Sequence, residues 1–131
     1  MPKKKVLVVD DTAAHLQHLA DIVSTAGYQV ITATSGREAI VKVNSKHYDI
    51  IFLDVMMEGV DGYKVCRAIK ASKKAYIVML TSKKSPFDKV RGTMSGCDAY
   101  VTKPPSDESL VKEVKKCIQN RDRKQALGLT Q

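Results

Sequence analysis

The chain has 131 residues, 44% of them hydrophobic, and carries 22 Lys and Arg against 14 Asp and Glu for a net charge of +8. That suits one domain with one core, and no stretch approaches the roughly 20 apolar residues that would cross a bilayer. The lysines are scattered and aromatic residues are only 5%, so neither a DNA-reading motif nor a basic stripe with stacking rings is present, and nucleic acid is not the expected partner.

The start, Met1-Pro2-Lys3-Lys4-Lys5, runs straight into a short apolar segment and lacks the form of a signal peptide. Val6-Leu7-Val8-Val9 reads as a buried strand that stops at Asp10 and Asp11. Thr12 is placed to cap a helix whose stripe is His15, Leu16, Leu19, Ile22, Val23 and Ala26, ended by Gly27. A strand over 29–33 follows. Ser35-Gly36-Arg37-Glu38 then has the form of a capping box, with Ala39, Ile40 and Val43 as the buried face of a second helix.

Ile50-Ile51-Phe52-Leu53 is a third strand, ending at Asp54. Asp61-Gly62 reads as a turn in which glycine permits positive φ, and a helix begins near Gly62 with Val65, Cys66 and Ile69 inward. The run 76–80 leads to Thr81 and Ser82, and Pro86 to Ser95 predict a fourth helix. Ala99-Tyr100-Val101 leads through Thr102 to Lys103 and Pro104. Ser106, Asp107 and Glu108 open a fifth helix with Leu110, Val111, Val114 and Ile118 inward and Lys115, Lys116, Arg121 and Arg123 near its C-terminus. Residues 1–121 form the domain, and 122–131 read as a frayed helix end or polar tail.

Five strands and five helices in strict alternation predict an α/β, doubly wound five-stranded parallel sheet with right-handed crossovers. In such a sheet Asp10, Asp11, Asp54, Thr81 and Lys103 meet at the C-terminal edge, where open α/β folds bind ligands. Cys66, Cys97 and Cys117 form no Cys-x-x-Cys pair and, being three, cannot all pair within one molecule. Reduced thiols in a cytoplasmic protein are the plain reading. His15, His18 and His47 lack metal-ligand spacing and read as surface or helix-face residues.

These residues, in this order and spacing, resemble a response-regulator receiver domain of two-component signalling, with the flavodoxin-like (βα)5 fold, over residues 4–120. The resemblance rests on Asp10-Asp11, Asp54, Asp61-Gly62, Thr81-Ser82, Tyr100 and Lys103-Pro104. It implies that Asp54 accepts a phosphoryl group from a histidine kinase or phosphotransfer protein in a Mg²⁺-dependent reaction. Asp11 and Asp54 would touch the metal, Asp10 would act mainly through water, and the backbone carbonyl of Met56 would complete the protein ligands. Three clustered carboxylates repel one another and call for such a hard cation. Asp10, Asp11 and Asp54 give minus three, and a divalent ion with Lys103 gives plus three. Lys103 and the hydroxyl of Thr81 would stabilise the acyl phosphate.

The same resemblance implies that Thr81 and Tyr100 form a switch altering the face of the fourth helix, fifth strand and fifth helix, which would bind an unknown output protein. It implies a cis Lys103-Pro104 peptide, a protein that acts on no substrate but itself, and a monomer or weak phosphorylation-dependent dimer, away from membranes. Lys83, Lys84, Lys89, Arg91, Lys112 and Lys116 would make the output side basic and its partner acidic. Three departures stand out. Glu58 replaces the usual proline of its loop, Pro105 stiffens the entry to the last helix, and Met56 and Lys83 occupy the positions that govern attack of water on the phosphoryl group. Neither Met56 nor Lys83 can orient that water, so a long-lived phosphorylated state is expected. With no output domain after residue 121, the expectation is a single-domain regulator similar to receivers of chemotaxis-like twitching-motility systems. A phosphohydrolase would want a second Asp where Met56 stands, and a flavin-binding phosphate loop would be repelled by Asp10-Asp11.

Overall fold

A computed structural model describes residues 4–54, 56–57, 60–72, 75–81, 96–102 and 107–128. In chain order the elements are β1 (Lys5–Val9), α1 (Ala13–Thr25), β2 (Gln29–Ala33), α2 (Gly36–Ser45), β3 (Ile50–Asp54), β4 (Met56–Met57), β5 (Val60–Asp61), α3 (Gly62–Ser72), β6 (Ile77–Thr81), β7 (Ala99–Thr102) and α4 (Asp107–Ala126). The five long strands form one parallel sheet in the order β2-β1-β3-β6-β7. This is the doubly wound order, with its reversal between β1 and β3. The predicted helix over 86–95 and the Lys103-Pro104 peptide lie outside the described residues.

The strands are almost wholly apolar because both faces of the sheet are covered. Leu7, Val9, Ile51, Leu53, Ile77 and Met79 pack on one face with Ala39, Val43, Cys66 and Ile69 from α2 and α3. Val6, Val8, Ile50, Phe52, Val78 and Leu80 pack on the other with Leu16, Leu19, Val114 and Ile118 from α1 and α4. Each fully buried side chain of this size contributes roughly 1.5–3 kcal/mol relative to exposure, so register errors are strongly disfavoured.

Local polar bonds differ from the predicted ones in instructive ways. Thr12 sits at the N-cap of α1 but its side chain makes no cap bond. Instead Asp10 Oδ1 accepts from the Thr12 N–H at 2.9 Å, an Asx-type turn that ties a site residue to the helix start. At α2, Ser35 Oγ accepts from the Glu38 N–H at 3.0 Å, while Glu38 Oε1 accepts from the Thr34 N–H at 2.6 Å, one residue earlier than the capping-box form requires. Gly27 does end α1 in the left-handed region, at φ 99°.

The positive-φ turn predicted at Gly62 is absent. Gly62 is the first residue of α3 and is not among the positive-φ glycines, and Asp61 Oδ1 accepts from the Tyr63 N–H at 2.9 Å. The two-residue antiparallel pair β4 and β5, Met56 opposite Asp61 and Met57 opposite Val60, makes the chain reversal instead. It is too short to leave a period in the sequence.

Of the segment read as a helix end or polar tail, residues 122–126 are the last turns of α4, which continues to Ala126. Arg121 is buried and donates to Asp49 Oδ1 at 3.1 Å and to Asp122 Oδ1 at 2.9 Å. Asp49 Oδ2 accepts from the Lys5 N–H at 2.8 Å, and Asp122 also pairs with Lys4. These bonds tie the last turns of α4 to the N-terminal edge of the sheet, so polar composition there marks an anchored helix.

Candidate functional site

The site is a consequence of strand register. Val9 pairs with Leu53, so Asp10, the next residue, stands beside Asp54 at the ends of adjacent strands. Asp54 in turn pairs with Leu80, putting Thr81 one step further along β6, and Thr81 pairs with Thr102, which precedes Lys103. Asp10, Asp54 and the backbone of Thr81 thus lie on one edge. Lys103, Lys83 and the loop at Glu58 lie outside the described residues, and of Met56 the described feature is its backbone pairing with Asp61.

Two carboxylates here are deeply buried: Asp10 is 1% exposed and Asp54 6%. Asp11 is partly exposed beside them. The imidazole Nδ1 of His15, in the first turn of α1, lies 4.0 Å from Asp10 Oδ2. The sequence reading assigned His15 no part in this site. Its position follows from the tight turn at Thr12, which brings the first turn of α1 over the edge.

Among the described residues no three His, Cys, Asp or Glu side chains converge into a metal cage. The donor set is nonetheless all hard oxygen at its centre, with two buried carboxylates and a third beside them. Such a set fits a cation that takes one or two carboxylates and keeps several waters, the preference of Mg²⁺, and fits poorly a metal needing a closed nitrogen or sulfur shell. The Cys117 thiol offers no rival nucleophile. Burial pushes the Cys117 thiol up to about 11, and it lies on the α1/α4 face of the core.

Tyr100 pairs with Met79 and packs, half-buried, against the cluster on the α2/α3 face. Its hydroxyl is buried and has no hydrogen-bond partner among the described residues.

The response regulator receiver domain model matches residues 6–115. The chain belongs to that family. The receiver is 40% identical to Protein PilG of Pseudomonas aeruginosa over 114 residues, 85% of this chain and 84% of that one. It is also 40% identical over 120 residues, 91% of its own length, to the alkaline phosphatase synthesis transcriptional regulatory protein PhoP of Bacillus subtilis, of which it spans about half (50%). Among solved structures, the chemotaxis protein CheY4 of Vibrio cholerae superposes with a TM-score of 0.80 at 34% identity, covering 88% of the receiver and 98% of that chain. A CheY-like receiver from Methanospirillum hungatei shares the fold, with a TM-score of 0.81 at 24% identity over 93% of this chain and 98% of that one. The parallel five-stranded fold expected from the strand and helix pattern is therefore the family's own. Among the described residues no helix is long and apolar enough to cross a membrane.

Proposed function

We propose that the receiver is a phosphoacceptor switch. Asp54 attacks the phosphoryl group of a phosphohistidine on a histidine kinase or phosphotransfer protein. The donor N–P bond breaks, the Asp54 O–P bond forms, and the released imidazole nitrogen takes up a proton. The observation that carries this reading is the burial of Asp54 beside Asp10 at adjacent strand ends. Two carboxylates removed from water at one edge are costly unless the site is built to receive positive charge.

A magnesium ion, when bound, supplies the positive charge that lets one anion approach another. Asp10, Asp11, Asp54 and the Met56 carbonyl would hold it. Asp10 is pre-oriented by the Thr12 N–H. Lys103 would neutralise part of the added charge and the Thr81 hydroxyl would donate to a phosphoryl oxygen. As Thr81 moves toward the phosphoryl group, the Tyr100 ring would fill the space behind it and shift the population of the output face.

On this reading the protein works in the cytoplasm, catalyses only its own phosphorylation and dephosphorylation, and signals by binding an output protein as a monomer or weak dimer. The likeness to a chemotaxis protein favours a single-domain regulator. Incubation with Mg²⁺ and acetyl phosphate or phosphoramidate should add one phosphoryl group to the intact mass of the wild type and none to Asp54→Asn. With Met56 and Lys83 at the water-attack positions, the adduct should outlast seconds. Addition that persists in Asp54→Asn, or that ignores Mg²⁺, would sink the proposal.

A further inference from the structure

Charge is distributed unevenly between the two helical layers. α1 carries Asp21 and no lysine or arginine, and α4 sets Asp107, Glu108, Glu113 and Asp122 among its lysines and arginines. α2 and α3 carry Arg37, Lys42, Lys64, Arg67 and Lys70 with Glu38 as their single acid. Glu38 is already engaged by the Thr34 N–H at 2.6 Å and faces Lys42 at 3.6 Å, and Lys70 pairs with Asp98 at 2.5 Å. Arg37, Lys64 and Arg67 remain exposed, with no ionic partner among the described residues.

Those cations share one surface. α2 and α3 pack side by side and run in the same direction, because each returns the chain from the C-terminal to the N-terminal edge of a parallel sheet. Arg37 and Val41 lie one turn apart on the exposed stripe of α2, and Lys64, Arg67, Ala68 and Ala71 form the exposed stripe of α3. Val41 is 58% exposed, one of only two large apolar side chains so placed among the described residues. The result is a low strip of valine and alanine bordered by uncompensated positive charge.

We propose that this outer face of α2 and α3 docks an acidic, amphipathic helix of a partner protein, independently of phosphorylation at Asp54. Alanines allow a helix to approach closely, Val41 supplies an apolar contact, and the three cations set register and speed encounter with a carboxylate-bearing surface. Three charges are too few for the cluster of about 4–8 that marks an anionic-membrane site. No stacking ring stands among them for single-stranded nucleic acid. The inference stands apart from the phosphoacceptor reading, since it uses none of the residues at the strand ends.

The test titrates the isotope-labelled full chain with a synthetic amphipathic helix whose glutamates border a leucine strip, following backbone amide shifts. Perturbation should centre on α2 and α3. Arg37→Glu with Arg67→Glu should weaken binding about tenfold, each reversal replacing an exposed attraction by a repulsion. Lys112→Glu with Lys116→Glu, and Asp54→Asn, should leave the affinity unchanged. Perturbation centred on α4, or an affinity indifferent to the Arg37/Arg67 reversals, overturns the proposal. So does tighter binding of duplex DNA or of phosphatidylglycerol vesicles at the same face, which would reassign it to a polyanion or a lipid surface. Because all four reversed residues are exposed, loss of fold is not expected, and circular dichroism of each variant checks it.

Discussion

Replacing Tyr100 by Phe isolates the cost of the buried hydroxyl. The oxygen is shielded from water without a hydrogen-bond partner among the described residues. Burial of an unsatisfied hydroxyl costs ~1–3 kcal/mol. Tyr100 as a whole is only half-buried, which places the cost at the low end, so Tyr100→Phe should stabilise the receiver by about 1 kcal/mol while keeping the ring's packing. In a domain of this size that is a rise of about 4 °C in Tm. Urea unfolding should show a higher midpoint at unchanged m. The same change bears on switching. An outward ring regains water at its hydroxyl and a phenyl ring does not, so the variant should favour the inward ring by about fivefold, the factor equivalent to about 1 kcal/mol. Affinity for the output protein in the absence of phosphate should rise by no more than that. A variant less stable than the wild type by about 1 kcal/mol would refute the reasoning, because it would mean that the hydroxyl makes a strong hydrogen bond.

Two further perturbations follow from the ionic ties. Arg121→Met keeps the buried stem but removes the bonds to Asp49 and Asp122. Breaking a buried pair costs ~3–5 kcal/mol, but Asp49 and Asp122 are 25% and 41% exposed, which reduces the expected loss to about 2 kcal/mol. A double-mutant cycle with Asp49→Asn should give a coupling near 1 kcal/mol by chemical unfolding, and strict additivity would show that the pair is not energetically joined. Burial pushes the Asp122 carboxyl up, but hydrogen bonds from Lys4 and Arg121 outweigh it and hold it below its usual range; the Thr34 N–H lowers Glu38. A carboxylate lowered in the folded state stabilises above its unfolded pKa, and that stability is lost as pH falls through the folded value. The stability gap between wild type and Arg121→Met should therefore narrow as pH drops below about 4. Glu38→Gln should cost about 0.5 kcal/mol at neutral pH, the low end for a cap because Glu38 is 41% exposed. That gap too should close in acid, and a gap constant from pH 7 to pH 3 would contradict the assignment.

Much of this receiver was determined by its sequence alone. Val6 to Val9 and Ile50 to Leu53 are apolar at every position, and only strands covered on both faces satisfy such runs. Asp10 and Asp54 end them abruptly, so once the strands are neighbours the carboxylates must meet. The helices were legible from Leu16, Leu19 and Ile22, and from Leu110, Val114 and Ile118, because a helix that buries one side repeats at three and four residues.

Tertiary structure alone decided the rest, where the deciding partner is distant in the chain or the signal too short to carry a period. Arg121 reads as a cation at a helix C-terminus until Asp49, 72 positions away, is brought to it. The pair β4 and β5 has two residues in each strand, too few for alternation to show. His15 reads as a member of a helix stripe, and only the turn at Thr12 brings it within 4.0 Å of Asp10. The uncompensated face of α2 and α3 is likewise invisible in a chain whose charges are scattered, because which cation has an acidic neighbour depends on contacts made across the fold. A sequence states which residues must leave water, and the strength of burial makes that message hard to miss. Which polar groups then find one another is settled by distances that exist only after the core has closed.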